Sequence, residues 1–362
     1  MRPTEELLRR LPKTDLHVHL DGSLRFDTVL DLAEKQKVKL PSNDPDTLRR
    51  MLVMTESCKN LVEYLRAFDI TLSVLQEYDA LVRAAYELCE DHAAENVIYF
   101  EVRFSPLLHT KRGLTYAQIV EAVLEGLKQG ERDFGVETGL IICGMRNIDP
   151  VYTLRMAELC VAYKYRGVVG FDLAGAEEDY PPKKHREAFF LILNNNVNCT
   201  IHAGEAYGPE SISQALHYCG AHRIGHGVRL REDGDLLNYI NDHRIPIEIC
   251  LSSNYQTGAV TALEFHPLRF YYDYGLRVTI NTDNRLMSDT TVTRELSLAV
   301  KHLSFTLDEI RDVLISGFKS TFQHFNQKKV LLNRAIKMMD AVLAEEGAKA
   351  AKSDSHPESA AI

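Results

Sequence analysis

Residues 14–23 read TDLHVHLDGS, a strand-like apolar run carrying histidines at 17 and 19 and closed by a turn. Successive strand side chains point to opposite faces, so His17 and His19 share one face while Leu16, Val18 and Leu20 take the other. Two neutral imidazoles buried side by side need several hydrogen-bond partners to offset their desolvation, whereas one divalent cation satisfies both. A hydrogen-bonded core pair is the alternative, and H-x-H alone leaves the two readings open. Further ligands decide, and where they fall depends on the fold.

Working outward, seven more short apolar or alternating runs follow: NVIYFEVRFSP (96–106), ETGLIICGM (137–145), GVVGFDLAG (167–175), NCTIHAGE (198–205), RIGHGV (223–228), PIEICLSS (246–253) and RVTINTD (277–283). Helical spacing of apolar residues predicts helices between them at 25–37, 60–94, 115–134, 150–165, 185–196, 209–220, 233–242 and 262–274, then at 289–303 and within 307–346. Eight strands alternating with helices predict an α/β protein, a (β/α)8 TIM barrel closed by parallel strands. The interval between the first two strands exceeds what one crossover helix needs, so extra helices are expected over the C-terminal face of the barrel. No linker-like composition divides the chain: residues 1–345 are read as one catalytic domain and the small, polar 346–362 as a disordered tail.

The composition, 45% hydrophobic and 26% charged over 362 residues, is that of a globular protein with a sizeable core. A net charge of -9 argues against binding nucleic acid or an anionic membrane through bulk electrostatics, and favours a small-molecule substrate. Seven cysteines without a C-x-x-C pair suggest neither a disulfide framework nor a thiolate metal knuckle. The N-terminal MRPTEELLRRLPK lacks the apolar core of a signal peptide, and no run reaches membrane-span length, so a cytoplasmic location is expected. Oligomeric state is left open.

The polar residues out of place in these runs fall at the C-terminal ends of strands, where barrel enzymes build their sites. His17 and His19 end the first strand, His202 and Glu205 the fifth, His226 the sixth and Asp283 the eighth. A histidine pair, a third histidine and one carboxylate drawn from these make a nitrogen-rich set that suits zinc with a coordination position left open for water. The other ten of the fourteen histidines, His266 among them, are read as solvated or hydrogen-bonded structural residues.

TDLHVHLDGS, IHAGE, RIGHG, CLSSNYQTGA and VTINTDN, in this order and at these intervals, resemble the adenosine deaminase family of metal-dependent amidohydrolases. The resemblance spans about residues 12–340 and has a bacterial character. It implies a barrel with one Zn2+ that hydrolyses adenosine or 2'-deoxyadenosine to the inosine nucleoside and ammonia, in purine salvage. It implies that His17, His19, His202 and Asp283 are the metal ligands. It makes His226 a base and electrostatic anchor, Glu205 the acid that protonates purine N1, and gives Asp283 a second, catalytic role. Substrate contacts are implied for Asp21, to the ribose 5'-hydroxyl, and for the Gly175 N–H, to purine N3. Leu61, Tyr64, Leu65 and Phe68 are implied to form an apolar lid over the nucleoside. Beside these stand plainer readings: Glu205 as a helix-capping carboxylate, Asp21 as a turn residue, His226 as a ring packed under its turn, and the Leu61–Phe68 stripe as core. The pair Asp283-Asn284 departs from the two aspartates of animal members. An asparagine there still donates to N7, through its amide, at any pH.

Three other readings compete. A two-metal amidohydrolase with a carbamylated lysine needs a lysine at the end of the fourth strand, which GVVGFDLAG lacks. A sister deaminase would act on adenine, an adenine nucleotide or a modified adenosine such as aminodeoxyfutalosine; Asp21 would repel a 5'-phosphate. A non-catalytic nucleoside-binding relative should have lost a ligand or the acid, and this chain has both.

Overall fold

In the computed structural model, residues 3–54 and 61–354 are described. Eight strands run in sequence order around one sheet: β1 Lys13–His19, β2 Val97–Phe104, β3 Glu137–Met145, β4 Val168–Ala174, β5 Asn198–Ala203, β6 Arg223–His226, β7 Ile247–Ile249 and β8 Val278–Ile280. Every neighbouring pair is parallel. The ring is drawn together between its ends by a parallel bridge from Val18 to Asp283, in which His19 N donates to Asp283 O and Asp283 N to His17 O, both at 2.7 Å. The (β/α)8 barrel is therefore the architecture expected from the sequence; seven strands fall within the predicted runs, and β1 begins one residue before its run, at Lys13.

The helices start where local chemistry allows. Thr115 with Gln118 and Thr306 with Glu309 form capping boxes at the heads of Tyr116–Phe134 and Leu307–Ser320. Pro45, Pro150 and Pro209 open three others, where a missing N–H costs nothing. Pro45–Leu52, Leu61–Leu65 and Phe68–Val74 are the extra helices between β1 and β2.

Three expectations need correction. The helix predicted over 60–94 is three helices, Leu61–Leu65, Phe68–Val74 and Tyr78–Ala93. It is interrupted at Arg66-Ala67 and again after Val74; at the second break the Leu75 carbonyl accepts from His109 Nδ1 at 2.8 Å, while the Gln76 amide donates to Leu72 O and Leu108 O. The run PIEICLSS is strand only through Ile249; Leu251–Gln256 is a short helix, and the Ser252 N–H at its head is accepted by Glu295 Oε2 at 3.1 Å. The last helix, Phe325–Asp354, continues well into the segment read as a disordered tail, since Ala, Lys and Glu dominate there and a single glycine does not end a helix. The remainder of that tail lies outside the described residues.

The barrel interior is not wholly apolar. A chain of fully buried ion pairs runs through it: Glu101 Oε2 to Arg223 at 2.6 Å, Arg223 to Glu248 Oε1 at 2.5 Å, Glu248 Oε2 to Arg103 at 3.0 Å and Arg103 to Asp172 at 3.1 Å. Isolated buried charges would cost several kcal/mol each, so pairing is a condition of their presence. Six cysteines among the described residues are buried free thiols. No described helix is long and apolar enough to cross a membrane.

Candidate metal and active site

The chain of ion pairs ends on two histidines. Glu248 Oε2 meets His17 Nδ1 at 2.8 Å, and Asp172 meets His202 Nδ1 at 3.0 Å. Burial pushes both carboxyls upward, yet Arg103 and Arg223 around Glu248, and His202 and Arg103 around Asp172, hold them well below the usual range. An ionised carboxylate only accepts, so each imidazole carries its proton on Nδ1 and presents a bare lone pair at Nε2. Those two lone pairs face each other: His17 Nε2 and His202 Nε2 are 3.0 Å apart, and His19 Nε2 is 3.1 Å from His202 Nε2. Asp283 Oδ1 lies 3.5 and 3.4 Å from the Nε2 atoms of His17 and His19. Without a cation among them this cluster is repulsive; with one it is a ligand set, and three imidazoles with one carboxylate have the donor chemistry of zinc.

Two overlapping quartets are possible. Ligand atoms of His17, His202, His226 and Asp283 all lie within 4.8 Å of one another, which would put His226 where His19 was expected. The tighter approach of His19 Nε2 favours the expected set, because His226 Nδ1 is taken by Asn254 at 3.0 Å and its Nε2 faces Glu205 Oε2 at 3.6 Å. Burial also drives His19 well below the usual imidazole value, so it offers a neutral nitrogen. Asp283 is held below the carboxylate range by His17, His19 and His226 in spite of its burial. Both His226 and Asp283 have left-handed backbone, φ 64° and 61°, uncommon for residues with a Cβ and found where a site holds a side chain against local preference.

Glu205 is buried beside the ligands. Its Oε1 is 2.9 Å from Thr257 Oγ1 and 3.4 Å from Asn254 Nδ2. It does not cap the following helix, whose N-cap is Gly208. The loop that bears it is gripped by one carboxylate: Glu177 accepts the backbone N–H groups of Gly204, Glu205, Ala206 and Tyr207 at 2.6 to 3.0 Å.

A cleft of about 230 Å³ opens beside the ligands, lined by His19, Asp21, Leu65, Phe68, Leu72 and Gly175 among others. Asp21 Oδ1 is buried there without a hydrogen-bond partner, and burial pushes its carboxyl up to about 7. Gly175 has φ +99°, and a Cβ on it would come within 2.7 Å of Asn147 Oδ1. The Phe68 ring stands 6.5 Å from that of His19. The expected lid divides within the helix Leu61–Leu65: Leu65 lines the cleft together with Phe68 of the next helix, whereas Leu61 and Tyr64 do not. Tyr64 is buried with Ala67 and Met287, Leu61 packs against that cluster, and the Tyr64 hydroxyl is 3.0 Å from Ser288 Oγ. Asn284 is buried but does not line this cleft; a Cβ on Gly22 would lie 1.9 Å from its Oδ1, which accounts for glycine at that position.

Sequence reasoning missed Asp172, Glu248, Glu177, Asn254 and His266. For the first two a signal existed: a carboxylate in the middle of an otherwise apolar strand needs a buried partner.

The sequence profile of the adenosine deaminase family matches residues 12–338. The chain belongs to the adenosine deaminase family. Among curated family members, adenosine deaminase 1 of Streptomyces coelicolor is 42% identical over 361 residues, 95% of this chain and 91% of that protein. A probable adenosine deaminase of Dictyostelium discoideum is 42% identical over 88% of this chain, which spans only 41% of that longer protein. Among solved structures, adenine deaminase from Arthrobacter aurescens superposes with a TM-score of 0.85 at 28% identity, covering 91% of this chain and 99% of that one. β4 ends in Asp172-Leu173-Ala174, with no lysine to carry the carbamate of the two-metal reading.

Proposed function

We propose that this member of the adenosine deaminase family hydrolyses adenosine and 2'-deoxyadenosine to inosine and 2'-deoxyinosine with release of ammonia, serving purine salvage in the cytoplasm. The observation that carries this reading is the pair of bare Nε2 atoms of His17 and His202, with His19, Asp283, Glu205 and His226 gathered at one end of an apolar cleft. His17, His19, His202 and Asp283 would hold one Zn2+. Bound there, such an ion supplies a water whose pKa falls from about 15.7 towards ~7, an effective nucleophile at neutral pH.

The chain's own residues then divide the work. Leu65, Phe68 and Leu72 cover the nucleoside and exclude bulk water, and Asp21 accepts the 5'-hydroxyl with its unpartnered oxygen. The Gly175 N–H meets N3, turning C6 towards the ligand cluster. Glu205 delivers a proton to N1, which leaves C6 electron-poor, while Asp283 takes a proton from the attacking water. The proton held by Asp283 then passes to the C6 amine, which leaves as ammonia, while the C6 hydroxyl gives its proton back to Glu205, and the ring regains aromaticity as the 6-oxopurine. Residues 1–345 act in this reading as one catalytic domain with a purine nucleoside as its small-molecule partner.

The likeness to an adenine deaminase favours free adenine as the second reading. Metal-loaded protein is to be followed by the fall in absorbance near the adenine maximum with adenosine, 2'-deoxyadenosine, adenine, AMP and aminodeoxyfutalosine in parallel. The two nucleosides are expected to have the highest kcat/KM. Turnover of adenine alone would replace the nucleoside reading, and turnover of none would end it.

A further inference from the structure

The motif CLSSNYQTGA lies beyond the metal ligands and contains Asn254, whose side chain is fully buried between three groups. Its partners can be worked out from the outside in. Leu268 N donates to His266 Nδ1 at 3.0 Å, so that nitrogen presents a lone pair. His266 is buried, and burial with Arg231 and His226 nearby pushes its imidazole down to about 3. The neutral ring must therefore carry its single proton on Nε2, which lies 3.1 Å from Asn254 Oδ1. A hydrogen bond from His266 to Oδ1 fixes the orientation of the Asn254 amide. Flipping the amide would set its NH2 against the His266 N–H, two donors at that distance.

With Oδ1 committed, Asn254 Nδ2 points at His226 Nδ1 at 3.0 Å and towards Glu205 Oε1 at 3.4 Å. An amide nitrogen only donates, so His226 Nδ1 accepts. Neutral His226 then has its proton on Nε2, the atom that faces Glu205 Oε2 and the ligand cluster.

We propose that Asn254, itself fixed by His266, is a positioning residue that sets the tautomer of His226, making it an Nε2–H donor towards the reacting centre rather than a base. This revises the role expected of His226 from the sequence and leaves proton acceptance to Asp283. The tautomer assignment is independent of the deaminase reading; its catalytic consequence rests on that reading. One amide thus orients both His226 and Glu205, linking the ends of β5 and β6 to the segment after β7.

Long-range 1H–15N correlation spectra of the full-length zinc-loaded chain, with His226 assigned by its loss in His226→Gln, read the tautomer directly and without substrate. The parent is expected to show a protonated Nε2 and a bare Nδ1 at His226. In Asn254→Asp the carboxylate accepts, so the proton is expected to move to Nδ1, with kcat falling by about a hundredfold and KM little changed. His266→Phe frees the Asn254 amide and should give a mixture of the two tautomers, while His266→Gln, which retains a donor, should restore the parent pattern. A protonated Nδ1 in the parent overturns the inference even if adenosine is turned over. So does an Nε2–H that persists in both Asn254→Asp and His266→Phe. An expected tautomer pattern in a chain that deaminates nothing would instead sink the deaminase reading and leave the positioning intact.

Discussion

Glu205 and Glu248 are both buried glutamates, and their neighbours give them opposite duties. Glu205 has Thr257, Asn254 and His226 around it and is the acid of the proposed reaction. Glu205→Gln keeps the shape but cannot release a proton to N1. It is expected to retain metal and nucleoside binding while kcat falls by about 10²- to 10⁴-fold, measured by steady-state kinetics beside a binding titration. Parent-level turnover would assign the acid to another group. Glu248 instead sits between Arg103, Arg223 and His17 and stays ionised. Its oxygen fixes the His17 tautomer. Glu248→Gln should weaken metal retention by about 10- to 100-fold in a chelator competition. Unchanged affinity would mean that the His17 lone pair is oriented by its packing alone.

At the scale of elements, the loop after β5 depends on a residue from the loop after β4. Four N–H groups converge on the Glu177 carboxylate, and the neutral amide of Glu177→Gln keeps only one acceptor oxygen for them. Faster hydrogen exchange at residues 204–207 is expected, with kcat reduced in parallel because Glu205 rides on that loop. Exchange at the parent rate would show that the loop is held by packing and not by this carboxylate. Strand and helix identities were legible in sequence because each run had a clear period and length. The break at Leu75-Gln76 was not, since apolar spacing continues across it and only a carbonyl taken by His109 marks it. The lid stripe also read as one face, although Leu61 and Tyr64 pack towards Met287 while Leu65 and Phe68 line the cleft.

For the whole molecule, closure of the barrel brings residues distant in sequence into ionic contact, and this has a measurable pH signature. Glu95, ahead of β2, meets Arg285 at 2.6 Å and accepts Thr293 N at 2.9 Å, tying the segment after β8 to the second strand. Burial raises its carboxyl, but Arg285 and His92 outweigh this and lower it from 4.5 to about 2. The folded state thus holds its proton less tightly than the unfolded chain. The resulting stabilisation is complete above the unfolded value of 4.5 and is lost as pH falls through about 2. That gap corresponds to on the order of 3 kcal/mol. Denaturant titrations should show the parent losing stability from pH 5 towards pH 2 more steeply than Glu95→Gln, which should already be weaker at pH 7. Equal slopes would mean that Glu95 titrates alike in both states.

The sequence by itself determined the barrel, the strand ends that carry His17, His19, His202, Glu205, His226 and Asp283, and the family they belong to. Periodicity and position along the chain carry that information, because a strand's alternation decides which side chains face inward and its end decides where they project. Only the tertiary structure decided which hydrogen each of those groups carries. The lone pairs of His17 and His202 follow from Glu248 and Asp172, the tautomer of His226 from Asn254 and His266, and the loop of Glu205 from Glu177. Apart from Asn254–His266, 12 residues apart, these partners lie 28 to 231 residues from one another, and none shares a local motif with the group it orients. Hydrogen-bond direction depends on which donor and acceptor meet in space, and no local pattern in the chain encodes that meeting.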